Sequence, residues 1–439
     1  MTASAAPRRV SVYPILAVNF VGALGFSIVL PFLVFLVTRL GGNALVYGVM
    51  GATYSFFQLI GAPILGRWSD RHGRRKILLL SQLGTLVSWV IFLGALFLPV
   101  SALWQVDSRL VGTFTVTVPL MILFFARALD GITGGNVSVA NAYLADITAD
   151  TERSAAFGKM AVASNLGFIV GPAIAGALGA TAWGETPPVL AAAMISGVAT
   201  LVIVFGLPET RCCVLRTSPE QTTVRKVLGQ EQRDCYELKA AKKLSAQEIF
   251  RLPSLPRLMT LYFLVYLAFN FFYISFPIHA VTRLDWSLTD TGVFFAAMGL
   301  MMVIVQGPVL GRVSRVWSDR VLVVGGSVTL AASFVFFTSA DTLAIYGGTA
   351  LLALGNGLMW PSLLAIISRA AGEDAQGAVQ GFAGSAAAVA SIVGLVVGGV
   401  LYGVLTARIF LLSAAITFLV FLMTLALPAP ATQRDSDES

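Results

Sequence analysis

Charge is what this chain lacks most. Only 12% of its 439 residues are Asp, Glu, Lys or Arg, about half the ~25% of an ordinary soluble domain. That leaves too little polar surface to face water. Histidine occurs twice and cysteine three times, too few for a histidine or thiolate metal cluster or a disulfide framework. No carboxylate occurs before Asp70. Glycine-rich nucleotide loops and paired catalytic acids are also missing, so neither enzymatic chemistry nor a cofactor or metal is expected.

Apolar residues take the place of the missing charge, at 57% of the chain. They gather in twelve runs, at about 14–37, 46–66, 77–98, 117–136, 159–180, 189–207, 258–280, 290–311, 321–338, 343–368, 377–403 and 408–428. A helix needs roughly 20 such residues to cross a ~30 Å hydrocarbon layer. The sequence therefore predicts an all-α polytopic membrane protein with twelve spans, its partner the lipid bilayer. The opening MTASAAPRR is too short and polar for a cleavable signal, and the first span is too long for a signal's apolar core.

Basic residues orient the spans. With the N-terminus inside, the inner tails and loops hold 24 Lys and Arg and the outer loops hold four, with Arg127 left within a span. Both termini are therefore expected in the cytoplasm. The net charge of +7 is a topology signal, and no nucleic acid is expected as a partner. Cys212, Cys213 and Cys235 fall in the long inner loop, in a reducing compartment.

That loop, 208–257, divides the chain into a six-helix half at 1–207 and a second at 258–428, with a tail at 429–439. Within it, ELKAAKKLSAQEIFRL (237–252) reads equally well as a cationic helix on the inner leaflet or as a solvated linker. The halves carry matching stretches. GAPILGRWS (61–69) aligns with QGPVLGRVS (306–314), and IVGPAIAG (169–176) with IVGLVVGG (392–399). Two six-helix repeats of like orientation imply a transporter with its site at mid-membrane.

Three clusters stand out. GRWSDRHGRRK (66–76) sets five cations and Asp70 between two apolar runs. Gly66 and Gly73 allow helices and a tight turn to approach closely. Asp70 suits a helix N-terminus, and Arg71 and Arg74 can pair with Asp70, Asp146 or Glu152. An anchor made only of cations would explain Arg74, Arg75 and Lys76 but not Asp70 or the glycines. Next, Arg127 lies within a span, at a cost of ~2.5–3.5 kcal/mol on the lenient insertion scale. It should face a cavity and have a partner; Asp130, three residues on, shares its helix face. Asp130 is the first candidate for exchanging a proton. Lastly, Gly167, Gly171, Pro172, Gly176 and Gly179 form a small-residue stripe for close helix crossing or for bending. Substrate contacts are expected among Asn270 and Tyr273 of NFFYISFP, Asn356 and Trp360 of GNGLMWP, and, more weakly, Asn19, Gln58 and Asn165.

GRWSDRHGRR (66–75) resembles the signature between helices two and three of the major facilitator superfamily, and the likeness spans all twelve runs. Trp68 replaces the usual leucine, and Arg315 replaces the acid in the second copy. ARALDGITG (126–134) resembles that superfamily's helix-four motif, NLGFIVGPAIAG (165–176) its antiporter motif, and LPET (207–210) the end of helix six in the drug:proton antiporter branch. YLADIT (143–148) is similar to the tetracycline-exporter-like group. The resemblance implies a bacterial inner-membrane monomer, or a eukaryotic plasma- or organelle-membrane one. It would exchange a small amphipathic molecule for protons by alternating access. It also implies that Gly66, Asp70, Arg71, Gly73, Arg74, Gly171, Pro172 and Gly176 serve gating, Asp70 latching the inner side. The group carries an acid in helix one where this chain has Gly22. The residues leave open a lipid or lysolipid mover, an uncoupled uniporter, and a transporter-fold sensor or scaffold acting through 208–257.

Overall fold

The computed structural model describes residues 11–108, 112–134, 136–148, 150–179, 181, 183–209 and 254–426. Helices dominate because a chain in hydrocarbon must satisfy its backbone groups internally. In the first half these are α1 (Tyr13–Arg39), α2 (Ala44–His72), α3 (Arg74–Ala95), α4 (Val118–Thr133), α5 (Asn136–Ile147), α6 (Asp150–Gly179) and α7 (Thr186–Gly206). Between α3 and α4 the chain forms an antiparallel pair, β1 (Ala102–Ser108) and β2 (Gly112–Thr117). After residue 254 come α8 (Leu255–Arg283), α9 (Leu288–Ile304), a π turn (Val305–Val309), α10 (Leu310–Val313), α11 (Asp319–Phe336), α12 (Thr342–Leu405) and α13 (Ile409–Leu425).

Each of the twelve apolar runs falls on one of these helices. Among the described residues, nine helical stretches are long and apolar enough to cross a membrane by themselves, or ten counting α1. Helix α1 bends by 44° between Val29 and Phe32, where Pro31 has no N–H to give the helical ladder. The difference from twelve has two sources. Helix α4 is only 16 residues long, because Gly134 closes it. The stretch Phe382–Leu425 passes as one unit although it holds the last two runs. A break expected at 369–376 does not occur: the 64-residue α12 runs through it, since RAAGEDAQ is polar yet contains no proline.

The chain forms two compact units, Met1–Lys239 with Asp285–Ala296 and Ala240–Leu284 with Ala297–Ser439. The expected partition assigns 285–296 to the second half, whereas the start of α9 packs with the first unit. There Gly292 meets Gly176 of α6 backbone to backbone: a Cβ on Gly176 would lie 2.8 Å from the Gly292 Cα. The first unit centres on Ile15, Leu78, Tyr143, Leu144 and Ile203. The second centres on phenylalanines, with Phe272 and Phe337 rings 4.6 Å apart and Phe276, Phe334 and Phe410 around them.

The matching stretches pack alike. Gly171 of α6 lies against Ser27 and Ile28 of α1, and Gly394 of α12 lies against Asn270 of α8. Each glycine thus seats its helix on the first helix of its own half, where any side chain would collide. This agrees with the duplication read from the sequence.

Candidate functional site

Helix α2 ends at Gly73, whose φ of +101° and ψ of 142° lie outside the regions open to L side chains. The turn lets α3 begin at once, and the first N–H groups of any helix need acceptors. Glu209 supplies them from 133 residues away, its carboxylate accepting from Arg75 N at 3.0 Å and Lys76 N at 3.3 Å. A Cβ on Gly73 would lie 2.7 Å from the Glu209 carboxyl carbon, so only glycine admits this cap. The exchange is mutual. Arg75 donates from Nη2 to Val204 O at 2.5 Å and from Nε to Ile203 O at 3.4 Å, capping the C-terminal end of α7, where carbonyls lack partners.

Arg74 points inward from the same turn and is buried. Its Nε donates to Asp146 Oδ2 at 3.0 Å and its Nη1 to Ser69 Oγ at 2.7 Å, joining α2, α3 and α5. Asp146 is thus the partner of Arg74. Tyr143, one turn before Asp146, donates to Pro208 O at 2.9 Å. Burial, with the Glu209 charge adding to it, pushes its hydroxyl up to about 12, so it remains a donor at neutral pH. Arg71 is half-buried, as is Gly66. Asp70 stands in the last turns of α2, but its side chain, like those of Glu152 and Asn165, lies outside the described residues.

Helix α4 carries the second cluster. Arg127 Nη1 donates to Asp130 Oδ2 at 3.2 Å, and both residues are buried. Tyr54 of α2 lies beneath the guanidinium, 4.7 Å from its carbon to the ring centroid, a cation–π contact. Ser88, Trp89 and Phe92 of α3 close a crevice over the pair that is too narrow for a water molecule. The expected partner is present, and among the described residues α2 and α3 pack directly on this face of α4. Gln58 donates from Nε2 to Tyr54 Oη at 3.1 Å and Gly134 O at 3.2 Å, bracing the end of α4.

The other polar candidates divide. Asn19 spends both amide hydrogens on α6, at Met160 O (3.0 Å) and Ser164 Oγ (2.5 Å), clamping two helices. Asn270 donates to Tyr266 O at 2.8 Å and Ser391 Oγ at 3.2 Å. Tyr273 stacks on Phe269 with centroids 5.9 Å apart. Trp360 lies 4.3 Å from Tyr266 and 5.4 Å from Tyr262. One turn earlier on the same helix, the buried Asn356 Oδ1 accepts no hydrogen bond among the described residues. On α6, Gly171 and Pro172 are buried and Gly176 faces Gly292.

Sequence reasoning missed Tyr54, Tyr143, Gly292 and the capping role of Glu209. Of these, Glu209 left a trace as part of LPET and Tyr143 as part of YLADIT.

Comparison with known proteins bears on all of this. The Major Facilitator Superfamily family model matches residues 15–385 and 258–439. The tetracycline resistance protein, class E, of Escherichia coli is 30% identical over 371 residues, covering 83% of this chain and 81% of its own. The class C protein of Escherichia coli is 29% identical over 363 residues, covering 82% and 81%. Among solved structures, the human organic anion transporter MFSD10 (TETRAN) superposes with a TM-score of 0.64 at 21% identity, over 96% of this chain and all of that one.

Proposed function

Since this chain belongs to the Major Facilitator Superfamily and is thus a multi-pass membrane transporter, we propose that it exports small amphipathic organic molecules from a bacterial cytoplasm in exchange for protons. The observation that carries this reading is the Arg127–Asp130 pair. A carboxylate at membrane depth is costly and marks function by default. Buried beside Trp89 and Phe92, Asp130 exchanges a proton most readily when α2, α3 and α4 part. Proton exchange is thereby tied to a change of conformation, which antiport requires. When Asp130 takes up a proton, Arg127 loses its counter-ion but keeps the Tyr54 ring.

The second unit supports the substrate class, since aromatic rings gather around Trp360 and Asn356 offers an oxygen in want of a donor. A flat apolar body with a hydrogen-bond donor suits such surroundings. Two relatives are tetracycline resistance proteins by name, which supports efflux from a bacterial inner membrane. Gly22 separates this chain from the pattern of that group. A Cβ there would meet nothing within 4 Å, so the backbone leaves room for a side chain to start at that position. Gly22 also favours a second reading, uncoupled transport.

Proteoliposomes loaded with ethidium decide between them. Under a pH gradient the intact protein should concentrate the dye. Asp130→Asn should lose that accumulation while keeping downhill exchange, and Arg127→Ala should do worse than Arg127→Lys. Accumulation by Asp130→Asn under the gradient would overturn the coupling role, and flux indifferent to the gradient in the intact protein would favour the uniporter.

A further inference from the structure

The segment between α3 and α4 is amphipathic in a way that a simple loop is not. Register sets Trp104 opposite Val116 and Val106 opposite Phe114, and sets Gln105 opposite Thr115 and Asp107 opposite Thr113. Directly opposed residues share a face and alternate along the strand. One face is therefore Trp104, Val106, Phe114 and Val116; the other is Gln105, Asp107, Thr113 and Thr115. Val116 is buried, but Trp104 is 53% exposed and Leu103 beside it 50%.

This exposed apolar rim continues a longer one. Leu80, Leu83, Val87 and Val90 of α3 are all exposed and recur at helical spacing, so they form one stripe. The stripe passes Gly94, where a Cβ would meet nothing within 4 Å, and reaches Phe97, Val100, Leu103 and Trp104. In a membrane-spanning helix such a stripe faces lipid. We propose that the hairpin is an interfacial anchor, its Trp104 rim seated in the headgroup layer of the leaflet opposite the arginine-rich α2–α3 turn. Tryptophan is enriched at that depth because one end of the indole is apolar and the other donates a hydrogen bond. The Asp107 face is left to water.

The anchor is fastened to the transporter. Thr115 N donates to Gly41 O at 2.8 Å, Thr117 Oγ1 to Leu40 O at 3.0 Å and Asn43 Nδ2 to Thr113 O at 3.4 Å. The turn between α1 and α2 is thus tied to an element held by the bilayer surface.

Nitroxide labels in nanodiscs of phosphatidylcholine and phosphatidylglycerol test this. With Cys212, Cys213 and Cys235 replaced by serine, single cysteines are introduced in the full chain as Trp104→Cys, Val100→Cys and Thr113→Cys. Val100→Cys keeps the tryptophan should its loss disturb the hairpin. At 100 and 104, oxygen should collide with the label several-fold more often than an aqueous nickel chelate does, and at 113 the order should reverse. Preference for the nickel chelate at all three positions would overturn the proposal by placing the hairpin in water. Shielding from both reagents with spin–spin broadening would overturn it in favour of a second copy of the chain.

Discussion

Gly73 carries two constraints at once, a backbone conformation and a carboxylate where a side chain would begin. Gly73→Ala should therefore destabilise the protein by ~1–3 kcal/mol, the usual cost of a residue held in a glycine-only region. This would be read as a fall in the thermal midpoint of the detergent-solubilised protein. Gly94→Ala near the end of α3 is the contrast. Its Cβ meets nothing within 4 Å, and alanine is the better helix former, so the midpoint should hold or rise. Equal losses at both positions would show that the Glu209 cap does not distinguish them. The Tyr143 bond belongs to the same network. Because the hydroxyl is raised from 10.0 to about 12, its contribution is complete below pH 10 and is lost as pH climbs through 12. Neutral and acidic conditions leave it intact.

Helix α6 shows how a single element serves two neighbours. Gly167 and Gly171 seat it on α1, while Gly176 and Gly179 seat it against Gly292 and Leu288 of α9. Gly292→Val would force those backbones apart. Expression and insertion should persist while ethidium flux falls at least tenfold; normal flux would mean that this contact can open without consequence. The positions of α6 and its companions were legible because apolar runs of some twenty residues declare themselves without any partner. The small-residue stripe likewise announced a close crossing, but not which helix it would meet. Glu209 and Gly73 were beyond reach for a similar reason, since only folding brings residues 136 positions apart into contact. The hairpin escaped notice because its two short strands mix Thr, Gln and Asp with apolar residues and read as a loop. The polar run at 369–376 misled in the opposite direction: polarity suggested a break, while residues compatible with helix let α12 continue. Of the site, the Arg127–Asp130 pairing was readable from i,i+3 spacing, whereas Tyr54 beneath it depends on how α2 crosses α4.

At the scale of the whole molecule, the uneven distribution of cations leads us to expect both termini on the cytoplasmic side. Cys212, Cys213 and Cys235 should resist an impermeant thiol reagent in intact cells and react once the membrane is opened. Labelling from outside would reverse the assigned orientation. The halves repeat in packing but differ in charge, since Arg127 and Asp130 belong to the first alone and Ala350 stands where the repeat would put the second arginine. Glu209 sets a further asymmetry. The residue that caps α3 stands two positions past the first half, in the LPET that follows α7. The leading N–H groups of α3 therefore wait for their acceptors until residue 209 has left the ribosome, when α7 is already made. Helix α6 waits longer still, since Leu288 and Gly292, on which it packs, are made only after residues 210–253.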